Sequence, residues 1–300
     1  MCAKSAWRSL TLIWAVVAAL VLALGASPAW AQGVIGYSID SDATDSLWRV
    51  NLNTGVATRI GSTGFLDIES LSFSAAGVLY GVDEVTEQLV TCSLSTGACT
   101  GVGWLAIPPF EDTGLAFDSS GGLWMSTDEP SPFNFYRLNP TSGAATLIEA
   151  QHQEVTGLAF RSGVLYGLGG DYRDNLVKVD RGTGLAAPVG PLGAVTLMDG
   201  GIDFDEDGVL WGIGDPEDET DTVPSQVFTI DTSTGAATFV ATVTNSSGGT
   251  PLPGFESLAI WPSEQPPEEP FVPEPGTLLL LGSGLVGLSG YAALRLRKGE

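Results

Sequence analysis

A short segment recurs four times in the middle of the chain, and no other feature restricts the fold as strongly. Each copy is an apolar run, a glycine-containing turn and a second run with tyrosine or tryptophan: ESLSFSAAGVLYG, TGLAFDSSGGLWM, TGLAFRSGVLYG and GGIDFDEDGVLWG. The apolar anchors of these copies are 44, 43 and 44 residues apart: Leu71, Leu115, Leu158 and Ile202. A period of this length indicates one supersecondary unit that buries its apolar face only against its neighbours.

Each copy is followed by a third apolar run, a polar turn that contains glycine, and a fourth run. Counting the third runs gives five units, at residues 47–50, 89–92, 135–138, 176–179 and 227–230. Four short strands in a period of ~43 residues are typical of a β-propeller blade. Glycines and alternating β-branched residues interrupt every window in which a long helix would fit. The sequence therefore predicts an all-β fold, a single propeller of five four-stranded blades at residues 32–261.

The two ends of this region complete one blade between them. The first repeat begins directly at its second strand, residues 34–39, and the matching first strand stands at residues 257–261. We expect the C-terminal strand to pair into the first blade and close the ring, because closure removes exposed strand edges. A sixth blade is the alternative if residues 215–254 contain further strands.

The first 31 residues have the organisation of a secretory signal peptide. Lys4 and Arg8 precede an apolar stretch at residues 10–24, and Ala29-Trp30-Ala31 forms a small-residue cleavage site. Cleavage by signal peptidase is therefore expected before Gln32.

The C-terminal region is organised as a stalk followed by an apolar segment and a basic end. Residues 262–275 are rich in proline and glutamate, so we expect an extended stalk there. Residues 277–294 carry no charge and would rise roughly 27 Å as a helix, close to the ~30 Å hydrocarbon core of a bilayer. The cations that follow hold that end on the cytoplasmic side: Arg295, Arg297 and Lys298. We therefore predict one transmembrane helix within residues 276–300.

The element Val272-Pro273-Glu274-Pro275-Gly276 precedes this glycine-rich apolar segment. Together with the basic end, it closely resembles the PEP-CTERM sorting signal of Gram-negative bacteria, which is also catalogued as an ice-binding protein C-terminal domain. The resemblance covers the tail alone and implies nothing about ice. It implies recognition and cleavage by an exosortase near the Pro-Glu-Pro element. It also implies anchoring in the inner membrane before processing and then delivery to the cell surface or medium, often in bacteria that make exopolysaccharide.

The charge balance excludes one class of partner. The chain has 35 acidic and 12 basic side chains, a formal net charge of −23. A surface this acidic repels nucleic acid and anionic lipid headgroups, and attracts divalent cations or basic partners. Simple solubility of a secreted protein is an equally good explanation.

Two cysteines remain after the signal peptide, and they flank a turn signal. Because disulfides persist outside the cytoplasm, we predict that Cys92 and Cys99 form a cross-strand bridge; two unpaired small core residues are the alternative. His152 is the only histidine, so the sequence supports neither a zinc site nor a catalytic triad.

Two groups of acids are candidate binding residues. An acid precedes every inner strand, where the loops of a propeller surround one end of its channel: Glu69, Asp112, Glu154, Asp199 and Glu256. Such a ring suits a cation or sugar hydroxyls, although exposed loops favour acids in any case. Asp203, Asp205 and Asp207 precede Gly208 with the spacing of calcium loops, but the same place in other blades is a plain hairpin turn. The sequence therefore predicts no cofactor, with calcium at this turn as the alternative to a plain hairpin.

No catalytic constellation stands out in the sequence. We therefore expect a non-enzymatic propeller that acts as a binding, adhesion or matrix module, with exopolysaccharide or another envelope ligand as its partner. The alternative is a glycan-active hydrolase or lyase that uses carboxylates at the channel mouth, with Asp112, Glu154 and Asp199 as its candidates. A propeller that calcium stabilises structurally is a third hypothesis.

Overall fold

A computed structural model describes residues 33–41, 44–127, 133–150, 154–169, 174–216 and 223–261. Every regular element in these ranges is a β-strand. The same residues contain no helix of the length and hydropathy needed to cross a bilayer. The predicted signal cleavage site, His152, the stalk, the Pro-Glu-Pro element, the apolar segment and the basic end lie outside the described residues.

The strands form five sheets in chain order. The first blade contains β1 (Ile35–Ile39), β2 (Ser46–Asn51) and β3 (Val56–Ser62). The second contains β4 (Ile68–Phe73), β5 (Leu79–Asp83), β6 (Gln88–Cys92) and β7 (Cys99–Trp104). The third contains β8 (Thr113–Phe117), β9 (Leu123–Thr127), β10 (Asn134–Leu138) and β11 (Ala145–Ala150). The fourth contains β12 (Gly157–Arg161), β13 (Val164–Gly169), β14 (Asn175–Val179) and β15 (Ala186–Pro191). The fifth contains β16 (Leu197–Phe204), β17 (Leu210–Pro216), β18 (Gln226–Ile230) and β19 (Ala237–Thr242).

Two short strands complete the first blade. β21 (Ala259–Ile260) pairs antiparallel with β1, where Ile260 lies opposite Gly36 and Ala259 opposite Tyr37. β20 (Thr244–Asn245) adds a parallel strand to the outer edge of β3. The prediction of an all-β, five-blade propeller closed by its C-terminal strand is confirmed. The described part of residues 215–254 supplies the outer strands of the fifth blade and β20, and forms no sixth blade.

Side chains fix the closing strand to both of its neighbours. The backbone N–H of Ile39 donates to Ser257 Oγ at 3.0 Å, and the N–H of Ile260 donates to Asp203 Oδ2 at 2.8 Å. Leu258 is buried in the core cluster between the fifth and first blades. The closing segment therefore stabilises the ring through packing as well as through strand pairing.

A collar of apolar side chains blocks the central channel. The innermost strands β4, β8, β12, β16 and β21 neighbour one another around the ring. One apolar residue from each of the first four strands, and the residue directly before β21, surround a void of about 10 Å³: Leu71, Leu115, Leu158, Ile202 and Leu258. A void of this size barely holds one water molecule. The two ends of the channel are therefore separate environments.

One aromatic contact recurs between neighbouring blades. Tyr37 meets Phe73 at 5.5 Å between ring centroids, and Tyr80 meets Phe117 at 5.1 Å, both edge to face. Tyr166 meets Phe204 in the same way at 5.4 Å. Edge-to-face pairs of this kind add stability beyond the area that they bury.

Cys92 and Cys99 lie opposite each other at the adjoining ends of β6 and β7. Their sulfurs form a disulfide with an S–S distance of 2.00 Å. The bridge closes the turn between the third and fourth strands of the second blade.

Leu258→Ala tests how much the closing strand contributes to stability. Leu258 is 2% exposed, so truncation leaves a cavity at the joint between the last and first blades. We expect a loss of about 2–5 kcal/mol in the free energy of unfolding, measured by chemical denaturation. Leu66 is 61% exposed, and Leu66→Ala is the matched control, with an expected change of about 0.5 kcal/mol or less. Equal effects of the two substitutions would contradict a closure that depends on packing.

Candidate functional site

The ends of the channel differ in chemistry because they are formed by opposite ends of the inner strands. The last residues of these strands surround a cavity of about 280 Å³, which we call the cavity end. Their first residues, with the loops around them, form the other end, which we call the acidic end. The apolar collar lies between the two.

Phenylalanines form much of the cavity wall. Phe117, Phe160 and Phe204 each stand two residues after a collar residue and are partly exposed, with Phe73 and Ile260 at the equivalent positions of the other blades. Because the repeat places the same residue type at the same point of successive blades, the rings converge on one space. Partly exposed rings around a small cavity are typical of a ligand site.

Arg161 supplies the positive charge of this cavity. Its Nη1 donates to the carbonyl oxygen of Asp205 at 2.6 Å, and its Nη2 donates to the carbonyl oxygen of Glu206 at 3.0 Å. The guanidinium also lies 5.7 Å from the ring centroid of Phe204. These contacts hold the group in place at the rim.

Asp203 is the carboxyl group inside the cavity wall. Its Oδ1 accepts from the N–H of Phe204 and its Oδ2 from the N–H of Ile260, both at 2.8 Å. Burial raises the pKa of Asp203 to about 7, and the two hydrogen bonds counteract this only in part. The group therefore changes its charge near neutral pH, in contact with the strand that closes the ring.

The other two carboxylates of the predicted calcium loop point elsewhere. Asp205 accepts from the N–H of Val209 at 2.8 Å and from the indole N–H of Trp211 at 2.7 Å. Asp207 is exposed in the turn. Asp203, Asp205 and Asp207 do not form one of the close carboxylate groups among the described residues.

The same hairpin contact occurs in the third blade. Asp118 accepts from the indole N–H of Trp124 at 2.9 Å and pairs with Arg181 at 2.6 Å. Hydrogen bonds to this carboxylate outweigh its burial and lower its pKa well below the usual range. An aspartate before a tryptophan thus fastens the first hairpin in two blades.

The five acids predicted at the channel mouth all lie at the acidic end. Glu69, Glu154 and Glu256 are buried, whereas Asp112 and Asp199 are partly exposed. The hydroxyl of Ser41 donates to Glu256 at 3.0 Å. Burial raises the pKa of Glu69 well above its usual value, and the charges of Glu256 and Asp112 raise it further. The structure therefore brings these three carboxyl groups into one electrostatic neighbourhood.

Sequence reasoning missed two acids that lie beside Glu69. Asp67 and Glu84 each place a carboxylate oxygen within 4.8 Å of the others in a group with Glu69. Burial and the charges of neighbouring acids raise the pKa of Glu84 to about 7. The sequence contained one signal for this contact. Glu69 lies at the start of β4 and Glu84 directly follows β5, so in an antiparallel pair both residues lie at the same end of the blade.

Replacement of Asp203 by Asn should reduce the pH dependence of stability. Because the pKa of Asp203 is raised in the folded state, its contribution is present at low pH and is lost as the pH rises toward 7. The free energy of unfolding of the wild type should therefore fall between pH 5 and pH 7.5 in the presence of a chelator. In Asp203→Asn we expect this fall to be smaller by about 1–3 kcal/mol.

Denaturant titrations at both pH values measure this difference, with Asp207→Asn as the control at an exposed acid of the same hairpin. Equal pH slopes for the wild type and Asp203→Asn would show that Asp203 is ionised throughout this range.

Comparison with solved structures finds other folds of this kind at low identity. A nidogen/laminin complex matches with 13% identity and a TM-score of 0.48, over 77% of this chain and 86% of that chain. A gluconolactonase from Xanthomonas campestris matches with 16% identity and a TM-score of 0.44, over 75% and 79%. Regucalcin, a calcium-binding protein from Agrobacterium tumefaciens, matches with 16% identity and a TM-score of 0.43, over 76% and 78%.

Comparison with curated proteins by sequence finds no match. A family model matches the tail instead, at residues 271–298, which contain the Pro-Glu-Pro element, the apolar segment and the basic end. The chain therefore carries a PEP-CTERM protein-sorting motif, which marks it for export and for processing by an exosortase.

Proposed function

We propose that the propeller is a non-enzymatic binding module that the sorting motif delivers to the cell surface, where it holds a sugar residue of an exported polysaccharide. The sorting motif supports the delivery. The cavity of about 280 Å³ supports the binding, and it is the observation that carries the proposal.

The size and lining of the cavity suit one sugar ring. Phe117, Phe160 and Phe204 offer apolar surface for the C–H face of a sugar, while Arg161 and Asp203 offer a donor and a titrating carboxyl for its hydroxyls. Binding sites commonly combine such an apolar wall with a few fixed polar groups. A polysaccharide outside the cell would be the ligand that the sorted protein meets.

The hydrogen bonds of the cavity acids favour binding over catalysis. Both oxygens of Asp203 accept from backbone N–H groups, and both oxygens of Asp205 accept from Val209 and Trp211. Glycoside hydrolysis needs two carboxyl groups that are free to attack or to transfer a proton on either side of the bond. The hydrogen bonds instead hold Asp203 and Asp205 in fixed positions, where Asp203 can still accept from a sugar hydroxyl through a second lone pair.

A glycan-active hydrolase or lyase is the second candidate function, and it would use the acidic end. The buried carboxyl groups there are the supporting observation: Glu69, Glu154 and Glu256. The test is release of new reducing ends or unsaturated products from a polysaccharide. Enzymatic release that Glu154→Gln abolishes would favour this function over the binding module.

Phe160→Leu tests the cavity as the binding site. The substitution keeps an apolar side chain but removes the ring that faces the cavity, so we expect at least about tenfold weaker binding of a captured oligosaccharide. Binding is measured first on an array of bacterial polysaccharide fragments and then by calorimetry with the fragment retained.

Phe239 provides the matched control, because its ring is 52% exposed on the outer strand β19. Phe239→Leu should bind as the wild type does. Equal affinity of Phe160→Leu and the wild type, or no retained fragment at all, would contradict the proposed site.

The sorting route is tested by intact mass of protein recovered from its native host. The wild type should begin at Gln32 and end near Pro275, two hydrogens lighter because of the disulfide. Replacing Pro273, Glu274 and Pro275 together by Ala should leave residues 277–300 attached, because the exosortase loses its recognition element.

A control with the same composition lies just upstream, outside the matched residues. Replacing Pro266, Glu268 and Pro270 by Ala should leave processing unchanged. A wild-type protein that retains residues 277–300 would contradict cleavage.

A further inference from the structure

Arg161 is the one cation among the described residues that line the cavity. The rest of the wall consists of phenylalanine rings, small apolar side chains and acids. We propose that the sugar held in this cavity is a uronic acid residue, and that its carboxylate pairs with Arg161. This inference rests on the sugar-binding function proposed above and adds the class of sugar to it.

The hairpin of the fifth blade holds the guanidinium in place. Its Nη1 and Nη2 donate to the carbonyl oxygens of Asp205 and Glu206, and the ring of Phe204 lies beside it. Gly208 leaves room for this arrangement, since a Cβ there would lie 2.8 Å from Nη2 and 2.9 Å from Nε. The guanidinium is therefore fixed before a ligand arrives, which reduces the entropy lost on binding.

The hydrogen bonds of Arg161 leave its charge and several donors for a ligand. Both acceptors are backbone carbonyl oxygens without formal charge, so these bonds do not neutralise the guanidinium. A guanidinium also has more N–H groups than the two that these carbonyls occupy. The planar fork of the remaining donors matches a carboxylate, which accepts two parallel hydrogen bonds.

A second arginine at the same end of the propeller has a different role. Arg181 pairs directly with the carboxylate of Asp118 at 2.6 Å, so the protein itself supplies the anion. At the corresponding aspartate of the fifth blade, Asp205, both carboxylate oxygens accept from within its own hairpin. Arg161 therefore reaches the backbone of that hairpin instead of its carboxylate, and it presents a positive charge to the cavity.

The acids of the cavity wall are compatible with an anionic ligand. Glu206 is exposed in the turn, where water and salt screen its charge. Asp203 lies inside the wall, and the burial that raises its pKa to about 7 leaves its carboxyl mostly neutral at pH 6. A neutral carboxyl does not repel a carboxylate and can donate a hydrogen bond to it.

A uronic acid meets both requirements of the cavity with one ring. Its C–H face is apolar and packs on rings such as Phe160, while its carboxylate is attached directly to the sugar ring and reaches Arg161. The single negative charge of a carboxylate matches the single arginine. A phosphate monoester carries close to two negative charges at neutral pH, and the second would face the acids of the wall.

Calorimetry with pairs of matched oligosaccharides tests the proposal on the purified full-length protein at pH 6. Oligomers of galacturonate, glucuronate and mannuronate are each compared with their methyl esters, which keep the ring and remove the charge. We expect at least one acidic oligomer to bind at least about tenfold more tightly than its ester. Its affinity should fall as the salt concentration is raised, whereas that of the ester should not.

Arg161→Gln distinguishes recognition of the charge from a merely structural role. The variant should bind the acidic oligomer at least about tenfold more weakly and bind the ester as the wild type does. Arg161→Lys keeps the charge without the bidentate fork, so it should keep part of the preference, and it serves if Arg161→Gln does not fold. A structural role alone would weaken the binding of acid and ester equally.

Arg59→Gln is the control for net charge, because it removes one exposed cation from the outer strand β3. It should bind both ligands as the wild type does. A loss of preference for the acid in Arg59→Gln equal to that in Arg161→Gln would contradict a local contact.

The remaining outcomes separate this inference from the function on which it rests. Equal binding of acids and esters, or binding of neutral or sulfated fragments alone, would overturn the uronic acid. If Phe160→Leu weakens that binding, the cavity remains a sugar site. Absence of binding by acidic, neutral and sulfated fragments alike, or binding that Phe160→Leu leaves unchanged, would overturn both.

Discussion

The pairing of Ala259 and Ile260 with β1 is the interaction on which the rest of the structure depends. A propeller blade buries its faces only against its two neighbours, so an open ring would expose the face of the first blade and the edge of its second strand. β21 pairs with that edge, and Leu258, which directly precedes it, packs with side chains of the fifth blade against that face. Leu258 is also the fifth member of the collar that divides the channel. Both candidate sites therefore require that the two ends of the propeller meet.

Many contacts between neighbouring blades recur around the ring, and the contacts that differ depend on particular side chains. Ser72 accepts from the N–H of Phe117 at 3.1 Å, and Asp203 accepts from the N–H of Ile260 at the equivalent place. Between the third and fourth blades the recurring aromatic pair is replaced, because Arg181 lies over both Trp124 and Phe160. At this interface a cation–ring contact takes the place of the ring–ring contact.

The repeat made the fold predictable from the sequence, but it did not reveal every residue of the candidate sites. The blade count, the closing strand and the collar all follow from residues that recur at a fixed spacing, and Glu256-Ser257-Leu258 visibly repeats Glu69-Ser70-Leu71. The phenylalanines of the cavity recur with the repeat, but Arg161 has no counterpart in the other blades, so the repeat does not reveal the charged group of the cavity. Asp67 and Glu84 meet Glu69 through turns whose paths depend on backbone contacts across the blade. A pattern along the chain specifies the strands, whereas these sites arise from three-dimensional contacts that the pattern does not encode.

Unfavourable and favourable contributions to folding come from different parts of the propeller. At the acidic end, Glu69 and Asp83 are buried among like charges, which opposes folding. The favourable terms lie elsewhere, in the collar and in the ring contacts between blades. Proteins tolerate such local conflict mainly where a site requires it. At the cavity end the pKa of Asp203 is set by burial and by hydrogen bonds from the backbone of Phe204 and Ile260, so the electrostatics of the two ends have different local origins.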